Sequence, residues 1–111
     1  YNYGVLHFQF VNWDNLVLKQ AWYRCLEVVR RSNRSIGQIN KIYSDSTHEV
    51  GLRRAESPQS WFMGYDFFDA SVYQIPDKWR LEHIKNWFAL YGTAPFQGLA
   101  IWNVPAINAL R

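Results

Sequence analysis

Ile36-Gly37-Gln38-Ile39-Asn40-Lys41-Ile42-Tyr43 is the stretch on which the reading of the fold turns. Isoleucines at 36, 39 and 42 suit one helix turn, whereas Gly37 and the β-branched content favour a strand, and the second pair of features carries the reading. Upstream, from about residue 15 to residue 32, the period is helical: Leu18, Ala21, Trp22, Cys25, Val28 and Val29 form one apolar stripe, with Lys19, Arg24, Glu27, Arg30 and Arg31 mostly on the other side. Asp14 is placed to cap that helix, and Ser32-Asn33-Arg34-Ser35 closes it. Further upstream, residues 3–11 (Tyr-Gly-Val-Leu-His-Phe-Gln-Phe-Val) read as a strand.

Downstream, Ser44 to Thr47 is a turn, and Glu56-Ser57-Pro58-Gln59-Ser60 a loop. Trp61 to Asp69 (Trp-Phe-Met-Gly-Tyr-Asp-Phe-Phe-Asp) alternates as a strand does, with Trp61, Met63, Tyr65 and Phe67 sharing a face. Pro76-Asp77 opens a second helix whose buried stripe is Leu81, Ile84, Trp87, Phe88 and Tyr91, and Gly92 ends it. Residues 96–104 (Phe-Gln-Gly-Leu-Ala-Ile-Trp-Asn-Val) read as a last strand, stopped by Pro105. No repeat, low-complexity tract or linker interrupts the sequence, so residues 1–111 are expected to form one domain.

The resulting order is β-α-β-β-α-β, expected to fold as a four-stranded antiparallel sheet with two helices on one face, the ferredoxin-like arrangement. In that order the chain resembles the dimeric α+β barrel group over about residues 3–104. The resemblance lies in topology, and it implies two sheets facing each other across a homodimer. No diagnostic motif accompanies it, so it assigns no catalytic residue.

Composition narrows the functional classes. The 111 residues are 49% hydrophobic, 19% charged and 18% aromatic, the last including six Trp, seven Tyr and seven Phe. Twenty aromatic residues exceed what two helices and one sheet face bury, so an open aromatic face is expected, meeting a second copy, an apolar ligand or stacked bases. The uncharged, apolar-leaning stretch 96–110 contains Gln97, Asn103, Pro105 and Asn108 and is shorter than the ~20 apolar residues of a membrane span. The lone Cys25 sits on an apolar stripe and reads as core; it excludes an internal disulfide. With one thiol and no signal-peptide pattern, a cytoplasmic setting is the default. The start at Tyr1 fits a trimmed chain or a piece of a longer one.

The chemistry-bearing candidates are His7 and Asp66. A histidine between apolar neighbours and a carboxylate within an aromatic strand would form an acid/base unit if their strands paired. Trp61, Tyr65 and Trp102 would wall the cavity, and Arg53, beside Arg54, would clamp an anionic group at its mouth. No metal or cofactor is expected: His48 with Glu49 and His83 with Glu82 are adjacent and diverge on a regular element, and no Gly-rich phosphate loop occurs. The net charge of +3 is uneven, with six basic against two acidic residues over 1–41, and six against seven over 42–111. The expectation is a homodimer binding a small apolar or aromatic molecule, as a binding protein or a cofactor-free enzyme. A single-stranded nucleic-acid module and a pure protein-interaction domain are the alternatives. The first of these ranks lower because the basic residues of the first helix would lie behind the sheet.

Overall fold

Ser35-x-x-Gln38 closes a reciprocal pair of hydrogen bonds that starts a helix, not a strand. In the computed structural model, Ser35 Oγ accepts from the Gln38 N–H (3.2 Å) and Gln38 Oε1 accepts from the Ser35 N–H (2.8 Å), the capping box. The structure describes residues 12–44, 58–62 and 76–111, together with positions 51, 53, 55 and 56. Among these residues every regular element is helical: α1 (Trp13–Val29), α2 (Ile36–Ile42), a 3₁₀ turn (Gln59–Phe62), α3 (Lys78–Tyr91), a second 3₁₀ turn (Ala94–Phe96) and α4 (Pro105–Asn108).

This overturns the ferredoxin-like α+β reading and, with it, the resemblance to the dimeric α+β barrels. The 36–43 segment is α2 because the capping box starts it and its N–H groups bond four residues back, Ile39 to Ser35 O and Tyr43 to Ile39 O; Ile39 is buried while Ile36 and Ile42 are exposed. The 96–104 segment is a chain of tight turns. Phe96 accepts from Leu99 N–H, Leu99 from Ile101 N–H and Ile101 from Val104 N–H, burying Phe96, Leu99, Ile101 and Val104. Pro105 then begins α4, where its fixed φ and missing N–H suit a first helical position. Of the expected 61–69 strand, Trp61 and Phe62 belong to the first 3₁₀ turn, and the remainder, like the 3–11 strand, lies outside the described residues.

The two long helices stand where the sequence puts them. Asn12, not Asp14, caps α1 through Oδ1, which accepts from Asn15 N–H at 3.0 Å, while Asp14 complements the positive end of the helix from its first turn. The end of α1 is a Schellman motif: Ser32 N–H reaches Glu27 O and Arg31 N–H reaches Val28 O. Arg31 takes the left-handed position at φ 51°, where glycine is usual. Asp77 caps α3, and Gly92 ends it at φ 72° with its N–H on Phe88 O.

Leu18, Ala21 and Cys25 of α1 meet Ile39 of α2, Ile84 and Phe88 of α3, and Phe96, Leu99, Ile101, Val104 and Ile107 of the C-terminal region in one core. Arg24 is buried at its edge, and among the described residues no carboxylate pairs with it. Its Nη1 donates to Ala100 O (3.2 Å) and its Nη2 to Asn40 O (3.3 Å), pinning α1 to the C-terminal turns and to the last turn of α2. Desolvation lowers its pKa from the usual guanidinium value.

Candidate functional site

Asn15 Oδ1 accepts the Asp77 N–H at 2.9 Å, which sets the start of α3 beside the start of α1. Asp77 in turn accepts from Arg80 N–H and pairs with its guanidinium. The two helix starts and the turn leading into α4 leave a groove of about 630 Å³ between them. Val17, Leu18, Leu81, Val104 and Pro105 supply apolar wall, and Trp13, half exposed, stands at its mouth. Asp14, Lys78, Glu82 and Asn103 line the same space with polar groups.

A second assembly lies on the outer face shared by α1 and α3. Trp79, His83 and Trp87 follow one another at four-residue spacing along α3, with ring centres 5.2 and 5.7 Å apart. Trp22 of α1 closes on all three, 5.3 Å from Trp79 and 6.2 Å from Trp87, and its Nε1–H donates to His83 Nδ1 (3.3 Å). The Arg80 guanidinium lies over Trp79 at 4.2 Å, within cation–π range. Tyr23 extends the cluster and stacks on Tyr43, whose hydroxyl donates to Glu27 Oε1 (2.7 Å). Trp79 remains 50% exposed.

Of the residues expected to form a site, Arg53 and Trp102 are the two whose side chains fall among the described residues. His7, Tyr65 and Asp66 lie outside the described residues, as does the ring of Trp61. Arg53 is exposed in an irregular stretch. Trp102 is half-buried, stacked on Phe88 at 5.5 Å and donating Nε1–H to Phe96 O and Gln97 O. Its ring therefore braces the C-terminal turns and lines neither the groove nor the aromatic row. The row itself was legible in the four-residue spacing of 79, 83 and 87, but the sequence reading placed Trp87 in the buried stripe and weighed His83 only as a metal ligand. In the structure Trp87 is half-buried and Tyr91, assigned to the same stripe, is mostly exposed.

Cys25 is fully buried, and burial pushes its thiol up to about 12, far from a nucleophile's range. Among the described residues no group of three or more His, Cys, Asp or Glu is arranged to hold a metal ion, and no helix is long and apolar enough to cross a membrane. The chain matches no protein-family model, no curated protein and no solved structure.

Proposed function

We propose that the chain binds a small, largely apolar molecule in the groove between the starts of α1 and α3 and the turn into α4. The observation that carries this reading is the groove itself: about 630 Å³ walled by Val17, Leu18, Leu81 and Val104. Ligand sites run to about 300–1,000 Å³, mostly apolar with a few polar groups that fix orientation. Trp13 offers a flat aromatic surface at the mouth, favouring a planar ligand. The reading is binding and not catalysis, because Asp14 and Glu82 are exposed, while Asp77 is committed to capping α3 and to Arg80. A sheet-mediated homodimer is no part of the proposal, since its premise, an open sheet face, is missing among the described residues.

The test is a titration with 1-aminoanthracene, a neutral, flat, apolar fluorophore, followed by its emission and by tryptophan quenching. Ala106 lines the groove and is exposed, so Ala106→Trp fills the space without disturbing the core. Saturable binding that Ala106→Trp abolishes and Trp22→Ala leaves intact is expected. Binding indifferent to Ala106→Trp would sink the reading.

A further inference from the structure

We infer that the outer face of α1 and α3 binds single-stranded nucleic acid, its bases stacking on Trp79, His83 and Trp87 and its phosphates held by Lys19 and Arg30. This site adjoins the groove at Asn15, Pro76, Asp77 and Lys78 but goes beyond the reading given for it. Three observations on that face converge.

The first is an exposed row of rings. Trp79 is 50% open to solvent, His83 is exposed and Trp87 is half-buried. Trp22 buttresses the row from α1, within 6.2 Å of each of its three rings, and its bond to Nδ1 fixes the His83 ring. Stacking needs only a π-face, so such a row accepts any base.

The second is charge. Over residues 12–44 and 76–111 basic side chains outnumber acidic ones ten to four. Lys19 precedes Trp22 by one turn and lines the same shallow hollow as Trp79 and Arg80. Arg30, exposed, follows Trp22 by two turns. At 1.5 Å per residue the two cations stand about 16 Å apart along the α1 axis, a span of several nucleotides. Among the described residues, Glu27 accepts from Tyr43 and pairs with Arg34, and Asp77 pairs with Arg80.

The third is the contrast with the groove: Asp77 and Lys78 line both spaces, but the groove adds Asp14 and Glu82, whereas the hollow beside Trp79 adds Lys19 and Arg80. A polyanion is disfavoured there and favoured on the outer face. The sequence reading ranked nucleic acid lower because it set the basic helix behind a sheet. With no sheet among the described residues, the basic helix itself carries part of the aromatic face.

The experiment is fluorescence anisotropy with a fluorescein-labelled ten-residue oligothymidylate. Binding is expected to weaken with salt at a log–log slope of about −1.4, from about −0.7 for each of two phosphate contacts on a single strand. Trp79→Ala should weaken binding about tenfold, the loss of one stacked base, and the double change Lys19→Glu with Arg30→Glu should reverse the salt dependence or abolish binding. Both cations are on the surface, so this second variant keeps its fold even if the first does not. Circular dichroism checks each. Absence of binding, binding unmoved by both variants, or displacement by poly-glutamate as readily as by unlabelled oligothymidylate overturns the inference; the last outcome would assign the face to acidic protein segments.

Discussion

Asn40 holds Ala100 as a neighbouring strand would. Its side-chain Oδ1 accepts the Ala100 N–H at 2.8 Å, and its Nδ2 donates to the Gly98 carbonyl at 3.0 Å. Arg24 completes the arrangement by donating to Ala100 O and to the Asn40 carbonyl. Backbone that reads as a strand is thus satisfied by two side chains, and the turns of residues 96–104 need no sheet partner at this point.

Removing that clamp should loosen the C-terminal region. Asn40→Ala deletes two hydrogen bonds, at about 0.5–1.5 kcal/mol each, and should lower stability by about 1–3 kcal/mol in urea unfolding. Asn40→Asp keeps the acceptor but loses the donor, so it should fall between wild type and alanine. Equal stability of all three would show that the 98–100 backbone is held by packing alone.

The end of α1 offers a gain. Arg31 occupies the left-handed position of a Schellman motif at φ 51°. Arg31→Gly removes a steric cost of about 1–2 kcal/mol and adds unfolded-chain entropy worth about 0.4–1 kcal/mol, for an expected net gain of about 0.5–1 kcal/mol. Thermal unfolding at one pH and salt concentration measures it; a lower melting temperature would contradict the assignment of strain to this residue.

Cys25 should be inert in the folded protein. It is fully buried, and its thiol is pushed up to about 12 by desolvation. Reaction with dithiobis-nitrobenzoate at neutral to mildly alkaline pH should be negligible natively and complete in denaturant. Rapid native labelling would mean that the α1–α3 contact opens readily.

Glu27 and Tyr43 should shape the pH profile from opposite ends. Hydrogen bonds from Ser32 and Tyr43 hold the Glu27 carboxyl below its ordinary 4.5. Its contribution is therefore present above that value and lost as pH falls through the depressed one. Burial, reinforced by Glu27, raises the Tyr43 hydroxyl above its ordinary 10.0, so its contribution is present below that value and lost as pH climbs beyond it. Melting temperatures followed from acid to alkaline pH should fall at both ends. Glu27→Gln should flatten the acid limb, and Tyr43→Phe the alkaline one; limbs of unchanged steepness in both variants would remove the pair from the account.

The sequence by itself determined α1 and α3. Their apolar residues recur at helical spacing over about three turns, and Asp77 and Gly92 mark the ends of α3 with groups that satisfy orphan N–H and carbonyl positions. The capping box at Ser35 and Gln38 was equally present in the sequence, yet Gly37 and three isoleucines outweighed it, because a seven-residue element presents too few periods to separate helix from strand. Tertiary structure alone decided residues 96–104. Their backbone partners are Asn40 and Arg24, 58 to 76 positions away, and no local pattern announces a side chain that distant. It also decided which tryptophans face out. Trp22 and Trp87 lie at stripe positions of their own helices, but the way α1 packs on α3 sets them at the edge of the contact, where Trp79 and His83 extend them into an exposed row. A helix's period says which residues share a face; only the partner helix says how much of that face is covered.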